Sequence, residues 1–353
     1  MNEGDLAGKH DGLQVYSTSH LLHLKGRDRP TAAATTVDSF ESLLNPITSD
    51  RFFAEFHGRR WLHVPGWDDK NASVINWDEI GQILSAGGWN HHSVRLMIDT
   101  EVFPPTSYCR HTVDRNEHPI FEPQPEKVFE LLRRGASIIL LDIESLAPGV
   151  LAVIEIIERE LAAKCTANLY YSQNSSRALN VHFDSHDVYA LQIYGCKTWR
   201  LYEGKELNPI GRADIQHISQ SGNEEHCGRV DEEVIMRPGS LLYIPRGRYH
   251  DALADTADSV HVSIACNEPN GLDWLARFWD RLVADPAFRA NLPLLRATDH
   301  RDAMAHHIDD LVARLKDLSL EPTDLDDAIQ FRRDYRLYRP KFNLPYRAPP
   351  PDS

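Results

Sequence analysis

The residues with the clearest chemical purpose are His182, Asp184 and His250. His182-Phe183-Asp184 sets an imidazole and a carboxylate two positions apart, and along extended chain residues i and i+2 face the same side. His250 follows the apolar run Leu241-Leu242-Tyr243-Ile244 and the turn signal Pro245-Arg246-Gly247, so a neighbouring strand can bring it alongside. Two imidazoles and one carboxylate on adjacent strands make a facial triad. Such a triad leaves open positions on a metal and suits non-haem Fe(II) oxygen chemistry. The chain has 18 histidines, so most must be discounted. His91-His92 and His306-His307 read as surface pairs. His261 reads as packing in the core or behind the site. His186, in phase with the ligand pair, is a candidate for a position behind the metal or facing substrate.

The elements that must position these groups show as a change of period along the chain. Apolar runs at Ala167–Tyr171, Val188–Ile193, Thr198–Tyr202, Val234–Met236, Leu241–Ile244 and Val260–Ile264 alternate with turn signals such as Pro238-Gly239. Many short strands at that spacing predict a sandwich or barrel, with a jelly roll first. Before them the pattern is mixed. A helix is expected from Ser39 with Phe40, Leu43 and Leu44 on one face, and a second capped by Ser49. Trp61–Val64 reads as a short strand and Ser137–Leu141 as a buried one. A helix follows Pro148-Gly149, with Val150, Ile154, Ile157 and Leu161 in one stripe. Phe103–Pro125, rich in proline, reads as a long loop of the kind that lines binding sites, which makes Tyr108 and Arg110 substrate-contact candidates. Arg177 and Asn180, just before the metal motif, are two more.

After Pro269 helical periodicity returns. Met304, Ile308, Leu311, Leu315 and Leu318 form a seam, to be covered either by the preceding helix or by a second subunit. The expected organisation is a poorly ordered lead-in at 1–35, a catalytic domain at 36–266, a helical region at 267–340 that is a candidate for dimerisation, and a Pro-rich tail at 341–353.

Composition narrows the function classes. With 38 Lys+Arg against 52 Asp+Glu over 353 residues the formal charge is −14, which disfavours a nucleic-acid surface and leaves room for a basic protein or peptide partner. No apolar run is long enough to span a membrane. The five cysteines form no CxxC pair and read as reduced thiols in a cytoplasmic protein.

Three motifs in order carry a family resemblance. The run HFDSHDVYALQIYGCKTWRLY from His182 to Tyr202, the segment MRPGSLLYIPRGRYH from Met236 to His250, and the strand DSVHVSI from Asp258 to Ile264 resemble the core of cupin-type JmjC oxygenases, especially the ribosomal-oxygenase branch. The resemblance spans roughly Phe40 to Cys266. It implies a double-stranded β-helix (a mainly β jelly roll with N-terminal α/β elements and a C-terminal helical region). It also implies an Fe(II)- and 2-oxoglutarate-dependent dioxygenase using O2, with His182, Asp184 and His250 as iron ligands. Lys197 matches the basic residue that pairs with the distal carboxylate of 2-oxoglutarate, Tyr170 a tyrosine that assists it, and Asn168 a polar neighbour. Ser240 stands where the pattern has Asp, and the stretch after Leu318 is short for the winged-helix module in which the ribosomal branch ends.

Three functions are then expected to compete. The first is hydroxylation of an amino-acid side chain in a peptide, a protein or an amino-acid-derived natural product. The others are N-methyl-lysine demethylation and a non-catalytic cupin binding protein.

Overall fold

The computed structural model describes residues 37–340, apart from 68–69, 87–88, 90–92, 114, 174–177, 212–219, 278, 296–299 and 320–321. The expected lead-in and tail, with Arg177, His91 and His92, lie outside the described residues.

The chain begins with α1 (Phe40–Leu44) and α2 (Ser49–Glu55), then β1 (Leu62–Val64), α3 (Trp77–Ser85), β2 (Val94–Ile98) and β3 (Glu101–Val102). Ser39 and Ser42 cap α1 reciprocally. The cap of α2 is Thr48, whose hydroxyl accepts the Arg51 N–H, while Ser49 is the first helical residue. Next come β4 (Cys109–Val113), β5 (Pro119–Pro123), α4 (Pro125–Arg133), β6 (Ser137–Leu140) and α5 (Pro148–Leu161). Then follow β7 (Lys164–Ser172), β8 (Asp187–Tyr194), β9 (Lys197–Lys205), α6 (Gln220–His226), β10 (Val230–Met236), β11 (Leu241–Ile244), β12 (Arg248–Ala254) and β13 (Ser259–Asn267). The chain closes with α7 (Gly271–Ala276), α8 (Trp279–Ala284), α9 (His300–Ser319) and α10 (Pro322–Asp334).

The strands form an eight-stranded antiparallel sheet in the order β1-β11-β8-β13-β7-β6-β2-β3, a three-stranded sheet β10-β9-β12, and the hairpin β4-β5. This is the expected jelly-roll core. The large sheet buries apolar side chains on its outer face. Cys165, Ala167 and Leu169 of β7 and Val260, Val262 and Ile264 of β13 join Val150, Ile154 and Ile157 of α5 and Phe40, Leu43 and Phe52 in one core. A second, smaller core lies where the two sheets meet, from Val188, Ala190, Leu242 and Ile244 on one and Trp199, Leu201, Val234 and Met236 on the other. Strand alternation then decides the site. With one face of β7 and β13 committed to the helices, Asn168, Tyr170, His261 and Ser263 must face the interior of the roll.

The expected loop needs correction. Residues 103–125 are not a loop: a short 3-10 turn at Pro105–Ser107 leads into the β4-β5 hairpin, paired from Cys109↔Pro123 to Val113↔Pro119. The prolines sit at the ends of the strands, where no ladder donor is needed. The strand expected to carry His250 is β12, which follows the Pro245-Arg246-Gly247 turn. It is paired with β9.

Candidate metal centre and its cavity

His182 and His250 meet across a single antiparallel bridge. The His182 N–H donates to the His250 carbonyl at 3.1 Å, and the His250 N–H returns to the His182 carbonyl at 2.8 Å. Neither His182 nor Asp184 lies within β8, so the i, i+2 argument holds through this bridge and not through a ladder. The turn before β12 fixes Asp184 as well, because the Gly247 N–H donates to the Asp184 carbonyl at 2.8 Å. Gly247 has φ +81°, and a Cβ there would stand 2.1 Å from the Glu206 carbonyl oxygen, so only glycine fits the turn.

Both imidazoles are oriented alike. The Nδ1 of His182 faces the Asn180 carbonyl at 2.7 Å, and the Nδ1 of His250 faces the Arg248 carbonyl at 3.0 Å. A carbonyl only accepts, so each Nδ1 carries the proton and each Nε2 presents its lone pair. His250 Nε2 lies 3.6 Å from Asp184 Oδ2, and one donor atom from each of the three residues falls within 4.8 Å of the others. Burial, with the neighbouring His182, pushes the His250 imidazole down to about 4, which keeps it neutral for ligation. Burial works to raise the Asp184 carboxyl, but His186, His182 and His250 outweigh it and the group is held below the usual range. Two imidazoles with Nδ1 turned to carbonyls, and a carboxylate, all with donor atoms that converge, fit a divalent first-row metal bound on one face.

The triad opens onto a cavity of about 290 Å³ whose walls include Lys197, Tyr170, Asn168 and His186. Lys197 is 2% exposed, and its ammonium lies 6.0 Å from the centre of the Tyr170 ring. Burial lowers its pKa to about 7, with Asp255 opposing. Tyr170 stacks on His261 at 4.7 Å and 7°, and its hydroxyl, hydrogen-bonded to Asn168, is pushed up to about 12 by burial and by Asp184. Asn168 is itself held by the Asp142 N–H.

The remaining substrate candidates lie elsewhere or are already engaged. Tyr108 is buried in the outer core, edge-on to Trp89. Arg110 is exposed on the β4-β5 hairpin and paired with Glu122, its cross-strand partner, at 2.5 Å. Neither lines the cavity, because the hairpin that replaces the expected loop carries them away from it. Asn180 is half-buried and donates its side-chain amide to the Asp99 carbonyl at 3.1 Å.

Sequence reasoning passed over two cavity residues. Trp199 stacks on His250 at 5.8 Å and meets His261 edge-on at 5.4 Å. Its Nε1 and the His261 Nδ1 are both buried without a hydrogen-bond partner among the described residues. The signal for His261 was its register: it pairs with Tyr170, so both point into the roll. A polar pocket with a buried ammonium and two unsatisfied nitrogens is shaped for a small anion.

A second His/carboxylate cluster, His57, Asp187 and Glu268, also brings donor atoms within 4.8 Å of one another. Here each group has a protein partner. His57 pairs with Glu268 at 2.7 Å, Asp187 accepts from the Tyr243 hydroxyl and the Arg246 N–H, and Arg332 takes the other Glu268 oxygen. This cluster is a structural junction.

A jelly roll with a two-histidine, one-carboxylate triad facing its interior defines a cupin-type metal-binding domain. Residues 150–274, which include the triad and Lys197, match the model of the JmjC domain family. The chain is 26% identical over 72% of its length to the bifunctional lysine-specific demethylase and histidyl-hydroxylase NO66 of Drosophila willistoni, covering 32% of that protein. It is 24% identical over 81% of its length to ribosomal oxygenase 1 of Danio rerio, covering 53% of it. The chain thus spans about a third to a half of these curated relatives. Among solved structures it resembles YcfD, a ribosomal oxygenase from Escherichia coli, in complex with cobalt and 2-oxoglutarate. That likeness has a TM-score of 0.50 at 16% identity and covers 87% of this chain and 75% of that one.

Proposed function

We propose that the protein is an Fe(II)- and 2-oxoglutarate-dependent dioxygenase that hydroxylates an unactivated C–H of an amino-acid side chain. The substrate class is a peptide, a protein or an amino-acid-derived natural product. The observation that carries this reading is the shared cavity: the facial triad and the buried Lys197 line one space. The bound iron, with 2-oxoglutarate and O2, supplies the chemistry, in which R–H becomes R–OH while 2-oxoglutarate leaves as succinate and CO2.

The chain's own residues do the placing. His182, Asp184 and His250 hold the metal on one face, and the two Nδ1–carbonyl bonds keep both Nε2 atoms aimed at it. Lys197 takes the distal carboxylate, a charge-assisted contact strengthened by burial. Tyr170 and Asn168 flank it, and His261 and Trp199 close the same wall. His186 lines the same cavity and acts on Asp184 electrostatically, which makes it the candidate to support the metal ligand or to meet substrate. The shared pocket holds the reacting groups close to one another.

The −14 formal charge favours a basic peptide or protein segment as the partner over nucleic acid. Among the described residues no helix is long and apolar enough to cross a membrane. The five free cysteines suit a reducing, cytoplasmic compartment. The C-terminal helices, with Leu272, Trp279, Ile308 and Val312 exposed, are the surface on which a homodimer would form. Demethylation of N-methyl-lysine is the second reading, supported by the sequence likeness to a relative named for both activities.

Mass spectrometry on candidate peptides separates the two, by a gain of one oxygen against loss of a methyl group. A non-catalytic cupin is the outcome if the protein binds metal and 2-oxoglutarate yet forms no succinate with any substrate.

A further inference from the structure

We infer that Thr100, in the two-residue turn between β2 and β3, is a positioning residue for His182. The inference rests on the iron-centre reading above.

Asp99 and Thr100 join Ile98 to Glu101, which pair across the hairpin. Both turn residues have positive φ, 46° and 73°. A hairpin turn of this kind is served best by Asn-Gly or Asp-Gly, and a β-branched residue in the left-handed region is a true outlier. The chain nevertheless holds threonine where glycine would relieve the backbone. Such an outlier invites a functional explanation when something nearby uses it.

What uses it is the segment that delivers the first metal ligand. The Thr100 N–H donates to the Ala178 carbonyl at 2.8 Å. The Thr100 hydroxyl oxygen accepts the Asn180 N–H at 3.0 Å, and the Asp99 carbonyl accepts the Asn180 side-chain amide at 3.1 Å. Asn180 then offers its own carbonyl to the Nδ1 of His182 at 2.7 Å. Residues 178–180 belong to no strand, and the next backbone anchor is the His182–His250 bridge. The turn therefore holds, by backbone and side chain, the residue whose carbonyl sets the tautomer and ring orientation of His182. Ala178 and Leu179, in the same gripped segment, form part of the cavity wall.

Glycine at position 100 relieves the turn and removes the hydroxyl, so backbone stability and metal affinity must part company. The test is Co(II) titration, followed by the visible absorption of the bound ion, together with the thermal midpoint of the metal-free protein. The Thr100→Gly variant is expected to melt at or above the wild-type midpoint while binding Co(II) about tenfold more weakly, the low end for groups that orient a metal ligand. Thr100→Ser, which keeps the hydroxyl, is expected to bind as wild type does. Thr100→Ala keeps a Cβ at the positive-φ position and loses the hydroxyl and the methyl, and Thr100→Ser loses the methyl alone, so the alanine variant must weaken Co(II) relative to serine even if glycine loosens the hairpin. Co(II) affinity in the glycine and alanine variants within twofold of wild type overturns the inference. So does a serine variant as weak as alanine. A wild-type protein that binds no Co(II) overturns the iron-centre reading itself, and this inference falls with it.

Discussion

The barrel and the helices that follow it both carry regular apolar periodicity, and they use it differently. In β7, β8 and β13 the apolar positions are buried against α5 and the N-terminal helices, and the opposite face is left to build a site. In the described residues of 267–340 no side chain is buried. Met304, Leu311 and Leu315 of the expected seam are half-buried, and Ile308 is exposed. The region is tied to the barrel by polar clamps. Arg332 donates to the Leu161 and Ala162 carbonyls and pairs with Glu268, and Arg339 joins the buried Glu158 carboxylate and the Cys165 carbonyl. Periodicity reports that a face is apolar; what covers that face depends on the rest of the chain, or on a second copy.

The largest separation between the regions comes from the metal ligands. His182→Ala or Asp184→Ala is expected to abolish Co(II) binding and to reduce succinate formation to background. Helix content and oligomeric state, read by circular dichroism and sedimentation, stay unchanged. A variant that keeps turnover breaks the assignment of the triad.

Lys197→Met comes next. Loss of a buried charge-assisted contact is expected to weaken 2-oxoglutarate by roughly a hundredfold, measured by calorimetry with Mn(II) in place of iron. The same change has a stability signature. The folded pKa of Lys197 lies near 7, below the ordinary 10.5, so the unfolded chain binds more protons between those values. The destabilisation from burying the ammonium is thus greatest below pH 7 and fades as pH rises toward 10.5. Lys197→Met is therefore expected to stabilise the ligand-free protein at pH 6, on the order of a few kcal/mol, and to change it little near pH 10. Equal effects at both pH values contradict the burial argument.

On the helical side, Ile308→Asp or Leu311→Asp is expected to shift a dimer to monomer while leaving Co(II) affinity within twofold. A monomeric wild type removes the second-subunit reading of the seam. The clamps give the smallest effects. Arg339→Ala leaves the Glu158 carboxylate, 5% exposed, without its ion pair and held by the Cys165 N–H, and should cost about 1–3 kcal/mol in urea unfolding. Arg332→Ala, more exposed, should cost under about 1 kcal/mol and show mainly as faster amide exchange in α10.

The jelly roll and the metal triad were legible because short apolar runs, turn signals and the order of three motifs all agree. Lys197, Tyr170 and Asn168 came from motif matching, and the structure brings all three to the triad's cavity. Tyr108 and Arg110 did not follow, because proline content alone cannot distinguish a loop from a hairpin whose strands begin and end on proline. Trp199 and His261 were passed over because an aromatic residue on a strand normally signals core. Only the register with Tyr170 and the cross-sheet contact with His250 turn them toward the cavity. The hold of Asp99-Thr100 on residues 178–180 is non-local and has no signature in either segment alone.

The central claim is that the triad and Lys197 serve one reaction. Its most direct test is succinate formation by anaerobically purified protein given Fe(II) and 2-oxoglutarate and then exposed to O2, with and without a basic peptide substrate. The account predicts succinate matched by 2-oxoglutarate loss, increased by substrate, and absent in His182→Ala and strongly reduced in Lys197→Met. Wild-type protein that binds neither metal nor 2-oxoglutarate, or succinate formation untouched by both substitutions, contradicts it.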